Sequence, residues 1–254
     1  MTDKPKERQV PYYFYHWGPC LVRIKISESL RQLMLKEAWA SRKEHLSYRK
    51  KLAGVIKEEF AFRNMKMFLP YLQDILNLYY AAYKQYKHSD GWGTKEKPKF
   101  LLRSLWCNFQ KKHESNPPHD HSDALSFVIY LQIPEELKKE NKAYEGRSAG
   151  PGGIQFMYGS GADRRCITYQ SHFPAEGDMF IFPASLIHYV TPFTSDGTRI
   201  SVSGNVADHL PIANLPDDVR FEDNSDGEIK ASKDGSKGKN ISFYIRDFYD
   251  YGCT

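Results

Sequence analysis

Cysteine is scarce and poorly placed for a metal cluster. The four, Cys20, Cys107, Cys166 and Cys253, make no CxxC pair, which excludes a zinc ribbon. No apolar run approaches the length of a membrane span. The opening Met-Thr-Asp-Lys-Pro-Lys-Glu-Arg has no apolar stretch of the kind a signal peptide needs. We therefore expect a cytoplasmic protein with reduced thiols and no membrane partner. No glycine loop ends in Gly-Lys-Ser/Thr and there is no GxSxG, so neither a phosphate loop nor a serine-nucleophile elbow is present. Glu222-Asp-Asn-Ser-Asp-Gly-Glu-Ile begins like a calcium loop, but Lys233 stands where the closing glutamate belongs. Before the C-terminal tail the only tight basic run is Arg49-Lys50-Lys51, read as a solvated helix face. The net charge of +5 permits an anionic ligand without indicating nucleic acid.

Aromatic residues are abundant. The 17 tyrosines and 15 phenylalanines suit strands, cores and pocket walls. A chain of 254 residues can bury a sizeable core as one large domain or one domain with appendages.

Residues 1–18 read as an extended arm, and 20–26 alternate as an edge strand would. Ser27 is a good N-cap for a helix running to about Lys43, with Leu30, Leu33, Met34 and Ala38 at helical spacing. A weaker helical segment is expected over 46–62. Phe68, Leu72, Ile75, Leu76, Tyr79, Tyr83 and Tyr86 form a core-packing stripe on a further helix, with Pro70 in its first turn. Residues 88–98 read as a loop. From Phe100 the period changes. Strands are expected over 100–110, 125–133, 154–158, 165–173, 178–182, 187–193 and 198–206, with a helical turn after Pro134 and a flexible loop at 146–153. Such spacing indicates an all-β barrel or sandwich. Beyond Asp217 the composition shifts: residues 222–240 are acidic, then Gly/Ser/Lys-rich, and read as poorly ordered chain before an aromatic tail. Three regions follow: 1–98, an arm and supporting helices; 99–217, a β core; 218–254, a polar linker and tail.

Chemistry concentrates in the β core. His121 and Asp123 lie two apart just before an apolar run, a spacing that puts two strand side chains on one face. Downstream, Gly177-Asp turns into a strand that Pro183 breaks, and His188 opens the next. Two histidines and a carboxylate form the ligand type of non-haem Fe(II) oxygenases. Arg199 and Ser201 share one face of a later strand. An inward guanidinium needs a partner, and a ligand carboxylate can supply it through a two-bond fork, with a hydroxyl from Ser201.

His121-x-Asp123, His188 and Arg199-x-Ser201 resemble the signature of the Fe(II)- and 2-oxoglutarate-dependent dioxygenases. With Pro118-His-Asp-His-Ser and Ser126-Phe-Val-Ile-Tyr-Leu upstream, the stretch from about residue 100 to 206 is similar to an oxygenase branch common in bacteria and marine phages. The resemblance implies a mainly β fold: a double-stranded β-helix, jelly-roll or cupin-like, with the N-terminal helices packed on one sheet. It implies Fe(II) held by His121, Asp123 and His188, with 2-oxoglutarate as cosubstrate and O2 as oxidant. Arg199 and Ser201 would hold the far carboxylate of 2-oxoglutarate, Tyr130 would be a second contact to it, and Asn108 and Trp106 would line the cosubstrate or substrate side. The expected activity is hydroxylation of a substrate gated by loops 134–153 and 159–165.

Two alternatives stay open. Pro117-Pro118-His119-Asp120-His121 also offers His119-x-His121, a cupin-like register that leaves Asp123 outside the metal shell; with His121 and Asp123 as ligands, His119 and Asp120 would instead stand beside the shell or be loop residues. The same barrel also serves cupin-like binding proteins and metalloenzymes that use no 2-oxoglutarate. Arg199-x-Ser201 argues against the binding protein, which has no need of an inward guanidinium.

Overall fold

The structure is a computed structural model that describes residues 18–87, 99–159, 168–209, 219–223 and 229–233. β1 (Val22–Lys25) is followed by α1 (Glu28–Lys43), whose N-cap Ser27 accepts from the Leu30 N–H at 3.3 Å. A short 3₁₀ turn at Arg49–Lys51 then leads to β2 (Glu59–Ala61), and a second at Met65–Phe68 leads to α2 (Leu69–Lys87). The core strands follow: β3 (Lys99–Gln110), β4 (Asn116–His119), β5 (Leu125–Gln132), then α3 (Glu135–Lys142), β6 (Ile154–Met157), β7 (Tyr169–His172), β8 (Asp178–Pro183), β9 (Ile187–Val190) and β10 (Arg199–His209). A last hairpin pairs β11 (Val219–Asp223) with β12 (Ile229–Lys233).

Two antiparallel sheets face each other. The larger has the order β1-β8-β5-β10-β3-β2, the smaller β4-β9-β6-β7. This is the double-stranded β-helix that the sequence led us to expect. Period-two alternation explains how both faces of the larger sheet are covered. Phe127, Ile129 and Leu131 of β5, Met179 and Ile181 of β8 and Ile200 and Val202 of β10 point outward. They pack against Leu30, Met34 and Ala38 of α1 and Leu72, Leu76 and Tyr79 of α2. The intervening Val128, Tyr130, Phe180 and Phe182 point inward, against Ile154, Phe156 and Val190 of the smaller sheet. One set fixes the helices to the sheet, and the other closes the barrel below the site.

Several expectations need amendment. The weak helix expected over 46–62 is instead a 3₁₀ turn, irregular chain and β2, which pairs with β3 and so forms one edge of the larger sheet. Gly54 weakens a helix there, and Phe60 finds its burial across β3 rather than along a helix. β1 forms the other edge, so residues before 99 supply both edge strands of that sheet. β12 and the end of β11 fall within the 222–240 stretch whose composition suggested poorly ordered chain; in the sequence of β11, Val219 and Phe221 alternate with charged residues. The 1–17 arm, the 88–98 loop and the aromatic tail lie outside the described residues. Cys20 and Cys107 are buried free thiols. Among the described residues no helix is long and apolar enough to cross a membrane.

Candidate active site

β4 and β9 bring the first two histidines together. His119 and His188 are register partners across these antiparallel strands, with ring centroids 4.3 Å apart. His121 follows two residues beyond His119. Its backbone N–H donates to the Ala184 carbonyl at 2.8 Å, which holds its ring 5.3 Å from that of His188. The three imidazoles offer ligand nitrogens that all lie within 4.8 Å of one another.

The protonation pattern suits a metal. The Leu186 carbonyl lies 2.9 Å from His188 Nδ1, and the Pro117 carbonyl 2.7 Å from His119 Nδ1. A carbonyl can only accept, so Nδ1 carries the proton on both rings and Nε2 keeps its lone pair for a ligand. Burial, aided by the neighbouring His119, pushes His188 down to about 3 despite its bond to Leu186. Burial and His119 likewise take His121 down to about 4, against a small opposing effect of Asp120. Both rings are therefore neutral at physiological pH, as metal ligands must be. Phe182 and Phe156 pack on His188 at centroid distances of 4.7 and 6.2 Å, and Trp106 lies edge-on to His121 at 6.1 Å.

Asp123 lies outside this group. The chain bends from Ser122 to Ala124 instead of running as a strand, so period-two alternation does not carry from His121 to Asp123. The carboxylate faces the Arg103 guanidinium at 3.8 Å. His119, by contrast, sits on a strand opposite His188. The structure thus joins His121 and His188 to His119 rather than to Asp123.

The same cleft, about 1430 Å³, holds an anion-seeking end. Arg199 opens β10 and Ser201 lies two residues on, both buried on the inner face. One Arg199 N–H donates to the Gly152 carbonyl, and its Cζ stands 5.2 Å from the centre of the Tyr130 ring. Arg199 Nε and the Tyr130 hydroxyl have no hydrogen-bond partner among the described residues. Burial lowers the Arg199 pKa, with Tyr130 opposing. Burial also pushes the Tyr130 phenol up to about 12, against the effect of Arg199. Tyr130 is the register partner of Ser201, and Ser201 that of Asn108. Asn108 Nδ2 reaches Ser201 Oγ at 3.4 Å and Ser203 Oγ at 3.3 Å. Trp106 and Asn108 both line the cleft. Of the expected gating loops, 134–153 contributes the Gly152 carbonyl, while 160–167 lies outside the described residues.

Glu59 and Asn116 are among the lining residues that the sequence did not single out. Glu59 was hidden because the segment 46–62 reads as a weak helix, whereas Glu59 in fact pairs with Asn108 across β2 and β3. Asn116 was hidden because nothing marked the Pro-Pro segment as a strand.

Residues 104–205, which hold every histidine of the group together with Arg199 and Ser201, match the family model described as "Putative 2OG-Fe(II) oxygenase". This stretch belongs to the 2-oxoglutarate- and Fe(II)-dependent oxygenase superfamily. The family so described is one of Fe(II)- and 2-oxoglutarate-dependent oxygenases, the cofactor and cosubstrate that the sequence led us to expect. No curated protein sequence matches it. Among solved structures it is similar to a prolyl-4-hydroxylase of Pseudomonas putida (13% identity, 74% of this chain and 91% of that one, TM-score 0.48). It is also similar to a prolyl hydroxylase of Trichoplax adhaerens (9% identity, 75% and 83%, TM-score 0.49) and to the epimerase SnoN of nogalamycin biosynthesis (16% identity, 74% and 76%, TM-score 0.47).

Proposed function

We propose that the chain is a hydroxylase in which His119, His121 and His188 hold Fe(II) and Arg199 holds the distal carboxylate of 2-oxoglutarate. One observation carries this reading: a buried guanidinium with an unpartnered Nε shares a cleft with three clustered imidazoles. An unpaired buried charge costs several kcal/mol, roughly, and a carboxylate accepting its fork offsets that cost. Tyr130 and Ser201 add hydroxyls on the same inner face. The donor set fits the metal, since two rings are fixed by backbone carbonyls with Nε2 free.

When bound, iron and 2-oxoglutarate supply the oxidising power, with O2 reduced as the cosubstrate loses CO2 to become succinate. The chain's own residues do the positioning. Arg199 and Tyr130 fix the direction from which the cosubstrate enters. The Leu186 and Pro117 carbonyls hold two ligand rings, and Phe156 and Phe182 keep water from the His188 side. Hydroxylation asks nothing more of the protein than a substrate C–H held near these groups.

A second reading draws on the three-histidine grouping: a metal dioxygenase that uses no 2-oxoglutarate. Anaerobic addition of Fe(II) and 2-oxoglutarate to the metal-free protein separates the two. The hydroxylase reading expects a visible charge-transfer band that is lost in Arg199→Ala and in His188→Ala, and succinate once air is admitted. A folded wild type that binds Fe(II) but shows no such band would retire it in favour of the second.

A further inference from the structure

The cleft has opposite polarity at its two ends. Across the inner face of the larger sheet one register row runs Glu59, Asn108, Ser201, Tyr130, on β2, β3, β10 and β5 in turn. Its Tyr130 end, beside Arg199, carries unpartnered donors. Its Glu59 end carries unpartnered acceptors. Both carboxyl oxygens of Glu59, Oδ1 of Asn108 and Oδ1 of Asn116 are buried and have no hydrogen-bond partner among the described residues.

These oxygens converge. Asn108 commits its amide nitrogen to Ser201 and Ser203, which leaves its oxygen to accept. Glu59 Oε1 and Asn116 Oδ1 both lie within 3.3 Å of the point where a Cβ on Gly54 would stand, so the glycine opens the space in which the two meet. Glu59 is 2% exposed and lines the same cleft as the three histidines. Neighbouring Glu114 offers no donor: it accepts from the backbone N–H groups of Lys57 and Lys111. Burial pushes the Glu59 carboxyl up to about 7, more than distant Arg49 can offset, and Glu114 adds to the rise. Four buried acceptors whose only nearby proton is the one Glu59 takes up are costly, and a ligand that is rich in N–H and positively charged relieves them while keeping Glu59 ionised.

We infer that Glu59, with Asn108 and Asn116, forms the substrate-recognition end of the cleft and receives a cationic donor group, a primary ammonium or guanidinium, of the molecule to be oxidised. This rests on the reading of the cleft as an oxygenase site. The cosubstrate anion takes the Arg199 end and the substrate cation the Glu59 end, so each binds where the other is disfavoured. An acidic or wholly apolar substrate would leave the four oxygens unsatisfied.

The test is anaerobic calorimetric titration of the full chain, loaded with Fe(II) and 2-oxoglutarate, with n-butylammonium, n-butylguanidinium, n-butanol and butyrate. At least one cation should bind saturably, about tenfold or more tighter than n-butanol and butyrate, and lose about tenfold in Glu59→Gln. No saturable cation binding, equal binding of butanol or butyrate, or undiminished binding in Glu59→Gln would each overturn the inference. Should Glu59→Gln not fold by circular dichroism, the comparison of cation with butanol on the wild type decides alone. The charge-transfer band is read in the same wild-type samples. A cation preference without the band refutes the oxygenase reading, and the band without a cation preference refutes the role of Glu59.

Discussion

His119 and His188 face each other across β4 and β9 as register partners, with rings 4.3 Å apart. The metal ligands we propose are thus set by strand pairing, and Asp123, on the bend after His121, is engaged with Arg103. His119→Ala should weaken Fe(II) binding by more than the roughly 10–100-fold typical of an outer contact, while Asp123→Ala should stay at or below that range. Anaerobic Fe(II) titration of the two variants measures the difference. The reverse order would restore the two-histidine, one-carboxylate set.

Arg199 makes opposite contributions to stability and to binding. Arg199→Met removes a buried charge from a protein without its anion, so thermal denaturation of the cosubstrate-free protein should show an unchanged or raised Tm. The same change should cost about 2–5 kcal/mol of 2-oxoglutarate binding, roughly 30-fold or more in Kd. Wild type should gain Tm on adding 2-oxoglutarate, and the variant should not.

Gly152 supports Arg199 through its carbonyl, from a backbone with φ of +69° that side chains disfavour. A Cβ there would also meet Leu137 at 2.9 Å. Gly152→Ala should therefore destabilise the fold by about 1 kcal/mol or more and raise KM for 2-oxoglutarate. Urea unfolding and steady-state kinetics report the two effects separately.

Asp178 ties β8 to β1 through Arg23 at 2.6 Å and Lys25 at 3.2 Å. Burial alone would raise its pKa, but the Ala175 N–H, Arg23 and Lys25 outweigh that and hold it below the ordinary value. A depressed folded pKa stabilises the protein above the unfolded value of about 4 and loses that contribution as pH falls through the folded one. Urea midpoints should therefore drop between neutral and acid pH, and the drop should be smaller in Asp178→Asn.

Legibility from sequence followed how locally each element is determined. The Ser27 cap, the apolar stripe of α2, the apolar β-prone runs of β5 and β8 and the period of two at Arg199 and Ser201 on β10 are local signals, and each led to the right element. β4 escaped because Pro117 and Pro118 remove two N–H donors and so argue against a strand; the structure tolerates them because β4 is the edge of its sheet. β2 escaped because Leu52, Ile56 and Phe60 also fit a helical period, and only pairing with β3 decides between the two. The ligand question depended on β4: without that strand, nothing in the order His119, Asp120, His121, Ser122, Asp123 showed which side chain would face His188. Glu59 was invisible for a related reason, since its burial comes from a strand pairing that the sequence does not announce.

Among the described residues β4 is paired on one side alone, and its two prolines leave it little to offer a further strand. A metal bound by His119 and His188 would act as a cross-strand staple, joining this weakly held ribbon to the body of the barrel. Loading the metal would then be a local ordering event as well as a chemical one. Its signature would be slowed amide exchange at Asn116 and His119 while the inner strands β5 and β10, already paired on both sides, exchange at their former rates.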